Sequence, residues 1–242
     1  MLAVDTKNLT KKYGEITALS DCNLQVNEGE LYGLLGVNGA GKTTLIKILC
    51  GLTVSTEGKA SVFGNSVRTD MSAIKRIIGI SPQETSVAPK LTVKENLQFF
   101  AEVYYGDKDE RKNAVERVIS AFSLDEVLAR RAGTLSGGWQ RRLSIAAALI
   151  SNPKLLFLDE PTLGLDVLAR RELWEVIREL KGKMTVVLTS HYLEEIEALC
   201  DRVAVLNKGR VAAVGTVEEL KASSGQKNFE DAFVSIVKEA KV

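Results

Sequence analysis

The chain has 242 residues, 45% of them hydrophobic and 26% charged; this length suits one large domain or a domain with an insertion, and the composition excludes disorder, collagen and coiled coil. Lysine plus arginine (32) almost cancel aspartate plus glutamate (31), leaving a net charge of +1 and no global field for nucleic acid or an anionic membrane. Aromatic residues, at 6%, are too few for a base-stacking surface.

The predicted elements begin with a short apolar run near Leu2 to Val4, a turn at Lys11 to Gly14, and mixed alternation from Ile16 to Val26. Together these predict antiparallel strands. After a second turn at Asn27 to Glu30, Leu31 to Leu35 reads as a buried strand. A glycine-rich segment follows, then helical spacing from Thr44 to Cys50, stopped by Gly51. Ala60 to Phe63 and Ile77 to Ile80 read as further strands, the second ending at Ser81, Pro82 and Gln83. From Leu91 to about Ile150 the pattern is helical: Val93, Leu97, Phe100 and Val103 recur at three-to-four spacing, as do Val115, Val118, Ile119 and Phe122. Leu155 to Leu158 and Val186 to Leu188 are tight apolar strands with helical text behind each, and Val203 to Leu206 pairs with Val211 to Val214 as a hairpin about Asn207 to Gly209.

Strands separated by helices predict an α/β core with a mostly parallel sheet covered on both faces. It is preceded by an N-terminal antiparallel β subdomain and interrupted by an inserted α-helical subdomain. The expected boundaries are a domain over residues 1–222, with core 1–83 and 151–222 and the insert at about 84–150, and an amphipathic helical tail over 223–242. In that tail Phe229, Phe233, Ile236 and Val237 share one helix face. Cys22, Cys50 and Cys200 are widely spaced and odd in number, which predicts reduced core thiols and neither a disulfide frame nor a zinc site. No stretch is long and apolar enough for a membrane span, and Met1 to Asp5 lacks a signal pattern, so the chain is expected to be soluble and intracellular.

Residues Gly36, Val37, Asn38, Gly39, Ala40, Gly41, Lys42 and Thr43 fit G-x-x-x-x-G-K-[ST] between a buried strand and a helix. The glycines let backbone N–H groups turn toward phosphate oxygens where a Cβ would block the approach. The helix beginning near Lys42, with Thr44 in its first turn, adds N-terminal positive charge. Lys42 would reach the β and γ phosphates and the Thr43 hydroxyl would hold Mg²⁺. A plain glycine-rich turn with a surface lysine is the alternative. Asp159 and Glu160 follow the strand Leu155 to Leu158, at the carboxyl edge where ligands bind in such sheets. Asp159 there can join the Mg²⁺ shell and Glu160 can orient and deprotonate an attacking water. Their alternative is to cap a next helix near Thr162.

Leu135, Ser136, Gly137 and Gly138, placed shortly before the acidic strand and followed by helical text, change this reading. Together with the cradle, Gln83 and the lone histidine, the chain resembles an ATP-binding cassette (ABC) ATPase along essentially its whole length. The resemblance implies ATP and Mg²⁺ as ligands, and a second ATPase subunit pairing head to tail so that Ser136, Gly137 and Gly138 of one copy face the other's γ-phosphate. An N-cap role for Ser136 is expected as well. The resemblance further implies that Tyr13 stacks on adenine, that Gln83 touches the metal or the attacking water, that His191 contacts the γ-phosphate, and that Asp166 couples the two sites. Trp139 stands where the family usually has glutamine, Val167 follows Asp166 in place of proline, and Val37 replaces a common proline in the cradle.

One uninterrupted cassette, without zinc spacing or a basic stretch, points to the energy subunit of a membrane transporter over a soluble cassette ATPase of DNA repair or translation. Such a subunit would sit peripherally on the cytoplasmic face of the membrane, held by separate permease subunits, with no nucleic-acid partner. Pro89 to Leu97, Phe99, Phe100, Tyr104 to Gly106 and the tail Asn228 to Phe233 are similar to segments of ABC-2-type drug and ion exporters. Export is therefore the favoured direction, with import or lipid and polysaccharide transport as alternatives, and a permease helix is expected in a groove near Gln83 to Phe100. Transported substrate and homo- or heterodimer state stay open.

Overall fold

The computed structural model describes residues 1–240; positions 241 and 242 of the expected tail lie outside the described residues. Strands β1 (Leu2–Tyr13) and β2 (Ile16–Asn27) form a hairpin about Gly14, whose φ of 55° suits a residue without a Cβ. The buried β3 (Leu31–Leu35) leads through the glycine-rich turn into α1 (Lys42–Leu49). β4 (Glu57–Val62) and the short β5 (Asn65–Ser66) then extend the hairpin into an antiparallel sheet of order β2-β1-β4-β5. Next come α2 (Met71–Ile77) and β6 (Ile78–Ser81). Sequence periodicity shows neither β5 nor α2. Only Ile74 of α2 is buried, and Asp70 at its start accepts a hydrogen bond from the Ser66 amide at 2.9 Å without capping the helix.

The insert holds α3 (Val93–Tyr104), α4 (Lys108–Ala121), 3-10 turns at Asp125–Val127 and Ala132–Thr134, and α5 (Gly137–Ala148). Val93, Leu97 and Ala101 form the buried stripe of α3 at a strict four-residue step, whereas Val103 is 67% exposed. This corrects the expected packed face: continuing the stripe leads to Ala101, and Val103 points to the other side of the cylinder. Within this helical stretch Thr92 and Arg131 make an isolated antiparallel bridge that no strand pattern announces.

The second half of the core runs β7 (Leu155–Asp159), α6 (Val167–Arg178), β8 (Thr185–Ser190), α7 (Leu193–Leu199), β9 (Arg202–Asn207), β10 (Arg210–Gly215), α8 (Val217–Ser223) and α9 (Phe229–Glu239). The main sheet has order β10-β9-β3-β8-β7-β6 and is parallel except for the β9–β10 hairpin. The α/β fold with a mostly parallel sheet, an antiparallel N-terminal sheet and a helical insert is thus the one the sequence predicts.

Strand pleating sorts the core. Leu156 and Leu158 of β7 face the insert and α6, while Leu155 and Phe157 face α1 and the antiparallel sheet. β8 repeats this division, with Val186 and Leu188 on the first side and Val187 on the second. Each of these fully buried side chains is worth about 1.5–3 kcal/mol relative to exposure. A third cluster joins Leu35, Val203 and Val205 to Leu220, Phe229, Ala232 and Ile236, so α9 packs on the sheet through the face its sequence marks as apolar. Cys22 and Cys50 are buried and all three thiols are free; burial pushes Cys22 up to about 11 and Cys50 to about 12. Among the described residues no helix is long and apolar enough to cross a membrane.

Candidate functional site

Parallel pairing of β3, β8 and β7 ends the three strands side by side, with Leu35 opposite Ser190 and Asp159 opposite Thr189. The groups of the cleft lie on or just beyond these ends. The cradle after β3 depends on glycine at two places. A Cβ on Gly36 would meet the Leu206 carbonyl oxygen at 2.5 Å, and one on Gly41, held at φ 106°, would meet the Ala18 carbonyl oxygen at 2.7 Å. Gly39 turns at φ 80° into open space, Val37 and Asn38 are exposed beside it, and Ala40 is buried with its amide on the Val37 carbonyl at 3.1 Å. α1 carries no acidic residue in its first turn, where Lys42, Thr43 and Thr44 lie, so nothing within the helix offsets its N-terminal field.

The Lys42 ammonium donates to the Gly36 carbonyl at 2.6 Å and sits 3.4 Å from Glu160 Oε1, both side chains buried. Thr43 Oγ1 donates to Asp159 Oδ1 at 3.2 Å. Thr189 Oγ1 donates to the same oxygen at 2.6 Å and accepts the Glu160 amide at 2.9 Å. His191 Nδ1 is 2.6 Å from Glu160 Oε2. Glu160 itself is left-handed, at φ 49°; a non-glycine residue held there costs about 1–3 kcal/mol. Lys42, Thr43, Asp159, Glu160 and His191 are therefore brought together. The alternative for the two carboxylates fails, because α6 begins at Val167 and Asp166 caps it, accepting from Leu168 N and Ala169 N at 2.9 Å each.

These donors suit a phosphate chain with a hard cation. Thr43 and Asp159 offer adjacent oxygens. Among the described residues no three His, Cys, Asp or Glu side chains are grouped to hold an ion, which leaves most of the shell to phosphate and water, as is usual for Mg²⁺.

Other predicted residues stand apart from this cluster. Gln83 is exposed and its side chain bonds to nothing among the described residues, though its carbonyl accepts from Arg141 Nη1 at 3.2 Å. Tyr13 is exposed, with Lys11 Nζ 4.6 Å from its ring centre. Ser136 is exposed at the N-cap of α5 but its side chain makes no capping bond, which corrects the expected double role and leaves the hydroxyl without a partner among the described residues. A capping hydroxyl accepts the N2 or N3 amide, and here neither amide of the first turn reaches the Ser136 oxygen. Behind it, a Cβ on Gly137 would touch Leu165 at 3.5 Å and one on Gly138 would lie 3.1 Å from Ala169 Cβ. Trp139 packs partly on the core with Arg142 stacked at 5.0 Å.

Two site residues escape sequence reasoning. Arg141 is buried and donates from Nε to the Pro161 carbonyl (2.7 Å), from Nη1 to those of Pro82 and Gln83 (2.5 and 3.2 Å), and from Nη2 to those of Asp159 and Glu160 (both 2.7 Å). It ties α5 to the loops carrying Gln83 and Glu160. Burial pulls its pKa down to about 10, so it remains a cation at neutral pH. Asn96, also buried, accepts from Ala88 N at 2.7 Å and donates to the Ala88 and Thr92 carbonyls at 3.1 and 2.9 Å, clamping the loop after Gln83. The sequence marks neither: Arg141 lies beside a second arginine, Arg142, and Asn96 reads as an ordinary polar helix position.

Fold and cleft define a P-loop nucleotide-binding domain. A family model described as ABC transporter matches residues 19–163. A probable multidrug ABC transporter ATP-binding protein of Escherichia coli is 38% identical over 240 residues, covering 97% of this chain but 41% of that protein. The linearmycin resistance ATP-binding protein LnrL of Bacillus subtilis is 37% identical over 98% of this chain and 76% of its own length. The daunorubicin/doxorubicin resistance ATP-binding protein DrrA of Streptomyces peucetius is 42% identical over 92% of this chain and 68% of its own. A solved ATP-binding subunit of an ABC transporter superposes with a TM-score of 0.85 at 30% identity, covering 97% of this chain and 99% of that one. A cassette solved as a dimer in a post-hydrolysis state with ADP and phosphate superposes at 0.78 with 29% identity, over 88% and 98% of the two chains. The chain belongs to the ABC transporter family, as an ATP-binding cassette.

Proposed function

We propose that this chain binds and hydrolyses ATP as the energy subunit of an ABC exporter. The observation that carries the reading is the convergence of Lys42 and His191 on Glu160, at 3.4 and 2.6 Å, beside the Thr43–Asp159 pair. In the proposed step Lys42 and the N-terminus of α1 hold the β and γ phosphates. Glu160 takes a proton from a water whose oxygen attacks the γ-phosphorus, and the bond to the β–γ bridging oxygen breaks to release ADP. His191, its Nδ1 on Glu160, leaves Nε2 to face the γ-phosphate. Thr43 and Asp159 would hold Mg²⁺, with Gln83 joining on nucleotide binding, and the ion would supply positive charge against the charge that develops on the phosphates. Tyr13 would stack on adenine, and Ser136, Gly137, Gly138 and Asp166 would complete the site of a second copy. That the relatives are drug-resistance ATP-binding proteins supports export, and their type supports peripheral attachment to permease subunits on the cytoplasmic face. A cavity of about 920 Å³ between α3 and α4, with Ala101, Val115, Ile119 and Leu128 in its wall, meets the expected docking stretch only at Lys94 and Gln98. On this reading Glu160→Gln keeps ATP, loses turnover by at least about a hundredfold and accumulates as a dimer on size exclusion. Brisk hydrolysis by that variant removes Glu160 as the base.

A further inference from the structure

α6 starts at the Asp166 loop and carries Arg170 on its first turns, with the Arg170 amide bonded to the Asp166 carbonyl at 2.9 Å. The Arg170 guanidinium lies over the ring of Tyr192, 4.6 Å from its centre. Tyr192 in turn lies against the imidazole of His191, with ring centres 4.1 Å apart and planes tilted by 38°. The Arg170 Nε is buried without a hydrogen-bond partner among the described residues, and its nearest carboxylate, Glu194, is 3.9 Å away and largely exposed. This arginine is therefore held mainly by its face on the tyrosine ring. The loop is fixed from below as well: Tyr192 N donates to Ser190 Oγ at 2.9 Å.

Resting on the hydrolytic reading of Glu160 and His191, we propose that Arg170 and Tyr192 are positioning residues of the reaction. An imidazole held by one hydrogen bond, Nδ1 to Glu160, can still turn about its side-chain torsions and let that bond go. A ring stacked on one face, itself clamped by a guanidinium, removes that freedom and keeps Nε2 aimed where the γ-phosphate would sit. The clamp is attached to the Asp166 loop, on whose Leu165 and Ala169 the Gly137–Gly138 turn of the same chain packs. The stack thus links the surface this chain would offer to its partner's nucleotide with the histidine of its own site.

His191 is the chain's sole histidine, so one imidazole spectrum reports it without assignment. Imidazole ¹⁵N signals, kcat and KM for ATP, and the Kd of a non-hydrolysable ATP analogue are measured on the full chain and its Tyr192→Ala, Tyr192→Phe, Arg170→Ala and Arg170→Lys variants. Tyr192→Ala and Arg170→Ala are expected to lower kcat about tenfold or more, leave the analogue's Kd within about twofold, and average the two imidazole nitrogens. Tyr192→Phe, which keeps the stack, retains wild-type turnover and a single tautomer, and Arg170→Lys recovers part of the loss. The double alanine variant is no worse than the poorer single one, because both remove the same clamp. Undiminished kcat in either alanine variant, or an unchanged tautomer signal, overturns the proposal. So does a loss in Tyr192→Phe equal to that in Tyr192→Ala. Wild-type turnover that collapses in Glu160→Gln while Tyr192→Ala stays fully active sinks the positioning role alone; a fully active Glu160→Gln sinks the hydrolytic reading beneath it. If an alanine variant fails to fold, Tyr192→Leu and Arg170→Gln, which keep volume but remove the ring face and the cation, replace it under the same criteria.

Discussion

Glu160 meets Lys42 and His191 through opposite oxygens of one carboxylate while its backbone is bent into a left-handed turn by Thr189 and Arg141. The arrangement places a buried acid between two basic groups, so that neither oxygen is left unpaired. A second buried acid lies nearby with a different fate. Glu195 on α7 is fully buried, accepts from Trp174 Nε1 at 3.1 Å through Oε1, and leaves Oε2 without a partner among the described residues. Burial raises its pKa above the ordinary carboxylate range. A raised acid favours the fold while protonated and forfeits that stabilisation as pH rises through the folded value. Glu195→Gln keeps an acceptor for Trp174 and removes the penalty. The expected outcome is a Tm gain that is small near pH 4.5 and widens toward pH 8, each kcal/mol reading as about 2–4 °C for a chain of this size. Calorimetry across that range checks it, and a gain independent of pH contradicts the buried-charge account. Lys42 and Thr43 were legible in the sequence because their spacing from Gly36 is itself the recognition feature. Arg141 and Glu195 were not, because whether a charge is buried depends on carbonyls and side chains remote in the chain.

Helix starts account for much of the local order. Thr92 and Glu95 make a reciprocal box at the start of α3: Thr92 Oγ1 accepts from Glu95 N at 3.2 Å, and Glu95 Oε2 accepts from Thr92 N at 2.7 Å. The box fixes the exit of the loop that carries Gln83, together with Asn96. Thr92→Ala is expected to cost about 1 kcal/mol and lower Tm by about 2–4 °C without changing ATP affinity; urea unfolding beside nucleotide titration tests both halves. α3 also shows where periodicity misleads. Several apolar positions fit a three-to-four pattern, and packing chose the stripe through Ala101, leaving Phe99, Val103 and Tyr104 exposed. α2 stayed invisible because a seven-residue helix with one buried side chain leaves almost no periodic trace.

At the scale of the molecule, the parallel sheet separates two apolar layers and delivers the catalytic candidates to one edge. The Ser136 hydroxyl at an exposed helix start, and the exposed Leu163, Val167 and Leu168 around Asp166, make a surface that a second copy would cover on the dimer reading. Ser136→Arg is expected to leave nucleotide uptake by the monomer near wild type. It should abolish ATP-driven dimers on light scattering and lower turnover by about a hundredfold. Full turnover at all protein concentrations would argue against sites shared between copies.

The cradle, the chain positions of the main strands, the acidic strand end and the place of the histidine are all legible before any folding is considered. These are written in neighbouring residues, as glycine spacing or as runs of alternate or continuous apolar side chains. Which of them meet is set by packing across the chain: Thr43 and Asp159 are 116 positions apart, and His191 is 31 from Glu160. It also chose the buried arginine of the Arg141–Arg142 pair, denied Ser136 its capping bond, and stacked Arg170 on Tyr192. Such pairings follow from strand register and helix docking, which sum weak interactions over the whole chain and leave no mark at any single site.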